Sequence, residues 1–79
     1  MPHMSIKMIE GRSDEQKKRL VEALKETMLR ELPDVHPKYV SVSIEDFNGQ
    51  EWQEVFKEEI TDKQDKMFIQ PGYDPESLL

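Results

Sequence analysis

Three residues of this chain could act together on a small organic acid: Pro2, Arg12 and Trp52. Pro2 directly follows the initiator Met1, which is usually removed before a small second residue. Removal converts the ring nitrogen from an amide into a secondary amine, and only the amine can accept a proton. A general base works best when its pKa lies near the working pH, so an ordinary terminal amine must be made less basic. Burial in an apolar pocket and a neighbouring positive charge both disfavour the ammonium form, and Arg12 is the charge the sequence offers. Such an amine could take a proton from carbon or from an enol oxygen and return it elsewhere on the same molecule. The planar fork of Arg12 could hold a carboxylate through two charge-assisted hydrogen bonds, or stabilise an oxygen on which enolate charge develops. Trp52 could form a dry apolar wall that also presents an indole N–H donor.

Each of these residues also has a plainer role. Met-Pro openings are common, and an arginine that follows a glycine just before a helix is usually a solvated turn residue. A lone tryptophan is more often core or interface than pocket wall. His3 and His36 are separated and unsupported as ligands, which makes them surface or interface residues. Ser41 and Ser43 lack an accompanying His-Asp pair and read as an interface or second-layer face rather than as nucleophiles.

The elements that would position these residues follow from periodicity. Met4, Ile6 and Met8 alternate with His3, Ser5 and Lys7, the two-residue period of a half-buried strand. The alternation predicts a strand over 3–9. Glu10-Gly11-Arg12 then turns the chain, and Ser13 stands three residues before Gln16 as a capping box, with Asp14 and Glu15 favouring the positive end of a helix. The predicted helix covers 13–32 with a core face of Leu20, Val21, Leu24, Met28 and Leu32, and Pro33 stops it. A second alternation, Val40-Val42-Ile44 against Ser41-Ser43-Glu45, predicts a strand over 39–46. Asn48-Gly49 marks a turn. Trp52, Val55, Phe56, Ile60 and Met67 recur at helical spacing and predict a second helix over 51–69. Residues 70–79 read as a tail that stays loose unless a neighbouring subunit holds it.

Strand, helix and strand form a βαβ unit with parallel strands and a right-handed crossover, giving an α+β fold in one domain over 1–79. Two strands make a marginal sheet with both edges open. At 79 residues and with no cysteine, such a chain has neither a large core nor disulfides to support it. The expectation is a homodimer whose sheets join. The formal net charge of −6 argues against a nucleic-acid or anionic-membrane surface. No apolar run approaches the ~20 residues that span a bilayer, and no signal-peptide pattern opens the chain, so a cytoplasmic protein is expected. The residues suggest neither a metal nor a cofactor.

The opening resembles the 4-oxalocrotonate tautomerase superfamily. The likeness rests on Pro2 behind Met1, on the alternating strand, on the junction Ile9-Glu10-Gly11-Arg12-Ser13-Asp14-Glu15-Gln16-Lys17, and on the block Val40 to Glu45. The resemblance implies that Pro2 is the general base, that Arg12 binds the substrate carboxylate and that Trp52 stands near the family's aromatic wall. Ser41 falls where the family's second catalytic arginine stands, which disfavours a dicarboxylate. The ending Gln70-Pro71-Gly72-Tyr73 resembles the small dimeric, phenylpyruvate tautomerase-like branch, and a dimer fits better than a hexamer. The implied activity is cofactor-independent keto–enol tautomerisation of a 2-keto acid such as phenylpyruvate. Other branches use a protonated proline for dehalogenation, hydration or decarboxylation. A chain that retains Met1 would be a non-catalytic dimeric module.

Overall fold

The computed structural model describes residues 1–79, and its frame is a βαβ unit. Strand β1 is His3–Ile9, helix α1 is Asp14–Glu31 and strand β2 is Ser41–Phe47. The strands pair in parallel from His3↔Ser41 to Ile9↔Phe47, the arrangement that a helical crossover imposes. A second helix, α2, covers Gly49–Glu59. The α+β class, the parallel pair and the second helix agree with the sequence reading.

Helix α1 starts where its chemistry says it should. Ser13 Oγ accepts from the Gln16 N–H, while the Gln16 side chain accepts from the Ser13 N–H, satisfying two orphan donors of the first turn. Lys17, near its start, pairs with Asp46 of β2. Asp46 pairs in register with Met8, whereas Lys7, on the opposite face, pairs with Glu59 of α2. Helices α1 and α2 therefore cover opposite faces of the sheet. Along α1 the partly buried apolar positions are Val21, Leu24, Met28 and Leu29. Leu20 and Leu32, expected on the core face, are more exposed than these. Lys17, Val21, Leu24 and Met28, spaced four, three and four, form one stripe, and Leu20 is about 100° around the helix from Val21.

The second strand begins at Ser41, not at Tyr39. Pro37 lacks an N–H and the His36 ring accepts from the Lys38 N–H, so Pro37–Tyr39 forms a 3-10 turn that the Val40 N–H closes on the Pro37 carbonyl. The strand also runs one residue past the expected end at Asp46, to Phe47.

The second helix is shorter than expected at its far end. Asn48 and Glu51 form a reciprocal cap, which draws Gly49 into the first turn. Ile60 caps the helix, its N–H still bonded to the Phe56 carbonyl, and Thr61–Lys66 continues as 3-10 turns with Lys63 (φ −115°, ψ 29°) out of helical geometry. That segment has no apolar residue to bury, so Met67 and Phe68 extend the helical spacing only on paper.

The tail is not loose. Tyr73 Oη accepts from Trp52 Nε1 at 2.8 Å, and its ring meets Phe56 edge-on at 5.7 Å. Gln53 Nε2 donates to the Pro75 carbonyl at 2.8 Å, and Asp74 caps a last 3-10 turn, Pro75–Leu78. This chain's own α2, rather than a neighbour, holds residues 73–78. Trp52 and Val55, both on α2, are the only buried residues.

The fit of tail to helix depends on Gly49. A Cβ there would stand 2.1 Å from the Leu78 carbonyl oxygen, a backbone atom that cannot swing aside. The Gly49→Ala variant is expected to lose about 1–3 kcal/mol, as overpacking does. Thermal unfolding would measure the loss, and hydrogen exchange should rise selectively over 73–79. An unchanged exchange pattern would mean that the tail is not seated there.

Candidate active site

Pro2 stands at the head of the sheet, half-buried, with its carbonyl accepting from the Ser41 N–H at 3.3 Å. Next to it His3 Nδ1 and Ser41 Oγ lie 2.7 Å apart, so the first rung of the ladder carries a side-chain hydrogen bond as well. Met1, ahead of the proline, is 94% exposed. While Met1 is attached, the ring nitrogen of Pro2 is an amide.

Arg12 occupies the other end of β1. Gly11, with φ +121°, makes a turn that a side chain would strain. Arg12 then folds back, and its Nη1 donates to the Ile9 carbonyl at 3.2 Å. A strand rises about 3.3 Å per residue, and β1 has seven residues. The two ends of β1 are therefore on the order of 20 Å apart. The expectation that Arg12 lowers the basicity of the proline in its own chain is corrected by this distance. A guanidinium so far away and exposed to solvent is largely screened.

Trp52 is placed differently again. It is 9% exposed, edge-on to Phe47 at 6.3 Å, and its N–H already donates to Tyr73. One side of it reaches a cleft of about 230 Å³ that Ser5, Lys7, Val55, Glu59 and Ile60 also line. Trp52 is thus an anchor whose edge touches a cleft. Its indole is not a free donor.

The residues that sequence reasoning missed are Lys7, Glu59 and Lys63. Glu59 accepts from Lys7 at 2.9 Å and from Lys63 at 2.8 Å. The Glu59–Lys63 pair has the i,i+4 spacing and is legible in the sequence. Lys7 lies 52 residues away in sequence, and no local pattern links it to Glu59. Hydrogen bonds first from Lys63 and then from Lys7 hold the Glu59 carboxyl below its ordinary 4.5. The same contact with Glu59 raises Lys7 above its ordinary 10.5.

The signs of the two shifts set a window of pH. A carboxyl with a lowered pKa contributes stability above its unfolded value, and this is lost as pH falls through the folded value. A lysine with a raised pKa contributes below 10.5 and loses its part as pH rises through the higher folded value. The Glu59→Gln variant should therefore be less stable than the parent at neutral pH, with the gap in Tm closing as pH falls below 4.5. A gap independent of pH would show that the carboxylate charge plays no part.

Comparison with known proteins places this geometry in context. The family model described as "Tautomerase enzyme" matches residues 2–53, which include Pro2, Arg12 and Trp52. A probable tautomerase from Xylella fastidiosa (strain 9a5c) is similar to this chain, with 36% identity over 74 residues, covering 92% of this chain and 89% of its own.

Proposed function

The chain belongs to the tautomerase enzyme family, and from that premise we propose that it is a cofactor-independent keto–enol tautomerase of a 2-keto acid such as phenylpyruvate. Pro2, freed by loss of Met1, is its base. The observation that carries this reading is that the family match begins at Pro2, the residue that directly precedes β1. The free amine removes a proton from the carbon next to the ketone and returns it to the enolate oxygen, giving the enol; in the reverse direction it takes the enol proton and places it on that carbon. Arg12 holds the carboxylate through its guanidinium fork. A single guanidinium, with Ser41 at the position of the family's second arginine, suits a monocarboxylate with an apolar or aromatic tail.

Because Pro2 and Arg12 lie at opposite ends of one strand, this chemistry calls for a second copy. Antiparallel pairing of two β1 edges about a two-fold axis would run the Ile9–Arg12 end of one chain past Pro2 of the other. Pairing through β2 would leave the two groups apart. Both outer edges of the sheet are open; the first arrangement is the one that brings the two groups together, and the homodimer is part of the proposal.

Pro2→Ala should keep the fold and lower turnover by roughly 10²- to 10⁴-fold, the usual contribution of a positioned base. Unchanged turnover removes the proline from the mechanism, as does an intact mass that still includes Met1. Arg12→Ala should raise KM by roughly 10- to 100-fold, the loss of a charge-assisted pair.

Mixing the two variants tests the second copy. If each site draws Pro2 from one chain and Arg12 from the other, random reassociation gives one intact site in half of the dimers. Activity at low substrate then recovers to about one quarter of the parent's. No recovery on mixing means that the two residues do not meet across copies.

A further inference from the structure

The single chain exposes more surface than its mass explains. It presents 6166 Å² at 9.4 kDa, where a folded monomer of that mass presents about 5,000 Å². The surplus, roughly 1,200 Å², exceeds the ~800 Å² that one partner contributes to a standard interface. The radius of gyration points the same way, at 14.4 Å against about 12 Å for a compact chain of this length.

The most exposed apolar part of the chain, Met1 aside, is short and held in place. Phe68 is 100% exposed and Ile69 is 84% exposed. On one side the 3-10 turns of Thr61–Lys66 tie the segment to α2, helped by Gln64 Nε2 donating to the Ile60 carbonyl. On the other side Tyr73 fastens it to Trp52 and Phe56. The segment is an arm anchored at both ends, so little conformational entropy is lost when something covers it.

The matching concavity is the cleft between β1 and α2. Its apolar lining is Trp52, Val55 and Ile60, and from the sheet it takes Ser5 and Lys7 of β1 but no residue of β2. It therefore lies on the β1 side of the sheet, and the outer edge of β1 is one of the two that are free to pair. The arm leaves from its rim, since Ile60 both lines the cleft and begins the turns leading to Phe68. A two-fold axis passing near that rim exchanges the two arms and closes the assembly.

We infer that the Phe68–Ile69 arm of one copy seats in the Trp52–Val55–Ile60 cleft of a second copy, and reciprocally. The inference rests on the second copy invoked above for Arg12 and adds the surface that holds it. The arm side carries no charge at Phe68 or Ile69, and Lys7 and Glu59 at the cleft wall neutralise each other, so apolar contact is not opposed by an unpaired charge.

Cysteine is absent, so a pair introduced as Ser5→Cys and Ile69→Cys forms the chain's only disulfide. Mild oxidation should give a species of twice the chain mass whose digest contains the 5–69 linked peptide. Phe68→Asp should raise the dimer dissociation constant by about 10- to 100-fold, the loss of one buried aromatic side chain. Phe68 is fully exposed within the chain, so at concentrations above its own dissociation constant the variant should keep the parent's circular dichroism. A parent dimer that forms no 5–69 link and ignores Phe68→Asp overturns the arm while leaving β1 pairing and the tautomerase reading intact. A parent chain that is monomeric in sedimentation overturns the arm and the β1 pairing together, and leaves the role of Pro2 to its own variant.

Discussion

Parallel pairing of β1 with β2 is the constraint from which the rest of the arrangement follows. A parallel crossover begins at the far end of its first strand and ends at the near end of its second. The chain is thereby divided between two ends of one sheet. Pro2, the His3–Ser41 rung and the Pro37–Tyr39 turn gather at one end. The turn of Gly11 and Arg12, with Phe47 and the Asn48 cap, gathers at the other. No movement of side chains brings the two groups together, because the strand between them is regular throughout its seven residues. In a βαβ unit of this length, a proline at the head of the strand and an arginine behind it can serve one substrate only across two chains.

The second face of the sheet is organised by α2 rather than by the strands. Its ends are fixed by separate means. The Asn48–Glu51 cap sets the start, and Glu59, held by Lys7 and Lys63, ties the end to β1. The exposed ion pairs of this network are individually weak, and their value lies in direction. They orient α2 so that Trp52 meets Phe47 on one side and Tyr73 on the other. Tyr73 then returns the tail along the helix to Gly49, where the lack of a side chain admits the Leu78 carbonyl. Sheet, helix and tail form a chain of dependence in which Trp52 is the common neighbour.

How much the sequence makes legible is set by how local the cause is. The span of β1 is clear from alternation, and the start of α1 from Ser13 and Gln16, because the responsible groups lie within a few residues of one another. Tyr39 reads as strand in the sequence because the alternation of Val40, Val42 and Ile44 continues smoothly backwards, while in the fold the His36 ring acts on the backbone at Lys38. Phe68 reads as helix because its spacing fits, although the polar run from Thr61 to Lys66 gives that helix nothing to bury. Trp52 is recognisable as important, but the engagement of its indole N–H is not, since the hydrogen-bond partner is 21 residues away. The candidate site residues are likewise legible as types. Their separation is legible too, since a strand over 3–9 already sets Pro2 and Arg12 on the order of 20 Å apart; the contacts that occupy Arg12 and Trp52 are not.

A chain with only Trp52 and Val55 buried has little hydrophobic free energy to set against the entropy of folding. The half-buried Met4, Ile6, Val42 and Ile44 contribute in part, yet a sheet of two strands is marginal on its own. If the second copy brings Arg12 to Pro2, the same contact covers the open strand edge and the exposed arm, and folding becomes inseparable from association. A protein built this way does not need a larger core to hold a reactive amine in place. In that proposed dimer the interface that shelters the amine would also supply the free energy that keeps each chain folded, so conditions that separate the copies would dismantle the site and destabilise the strands together.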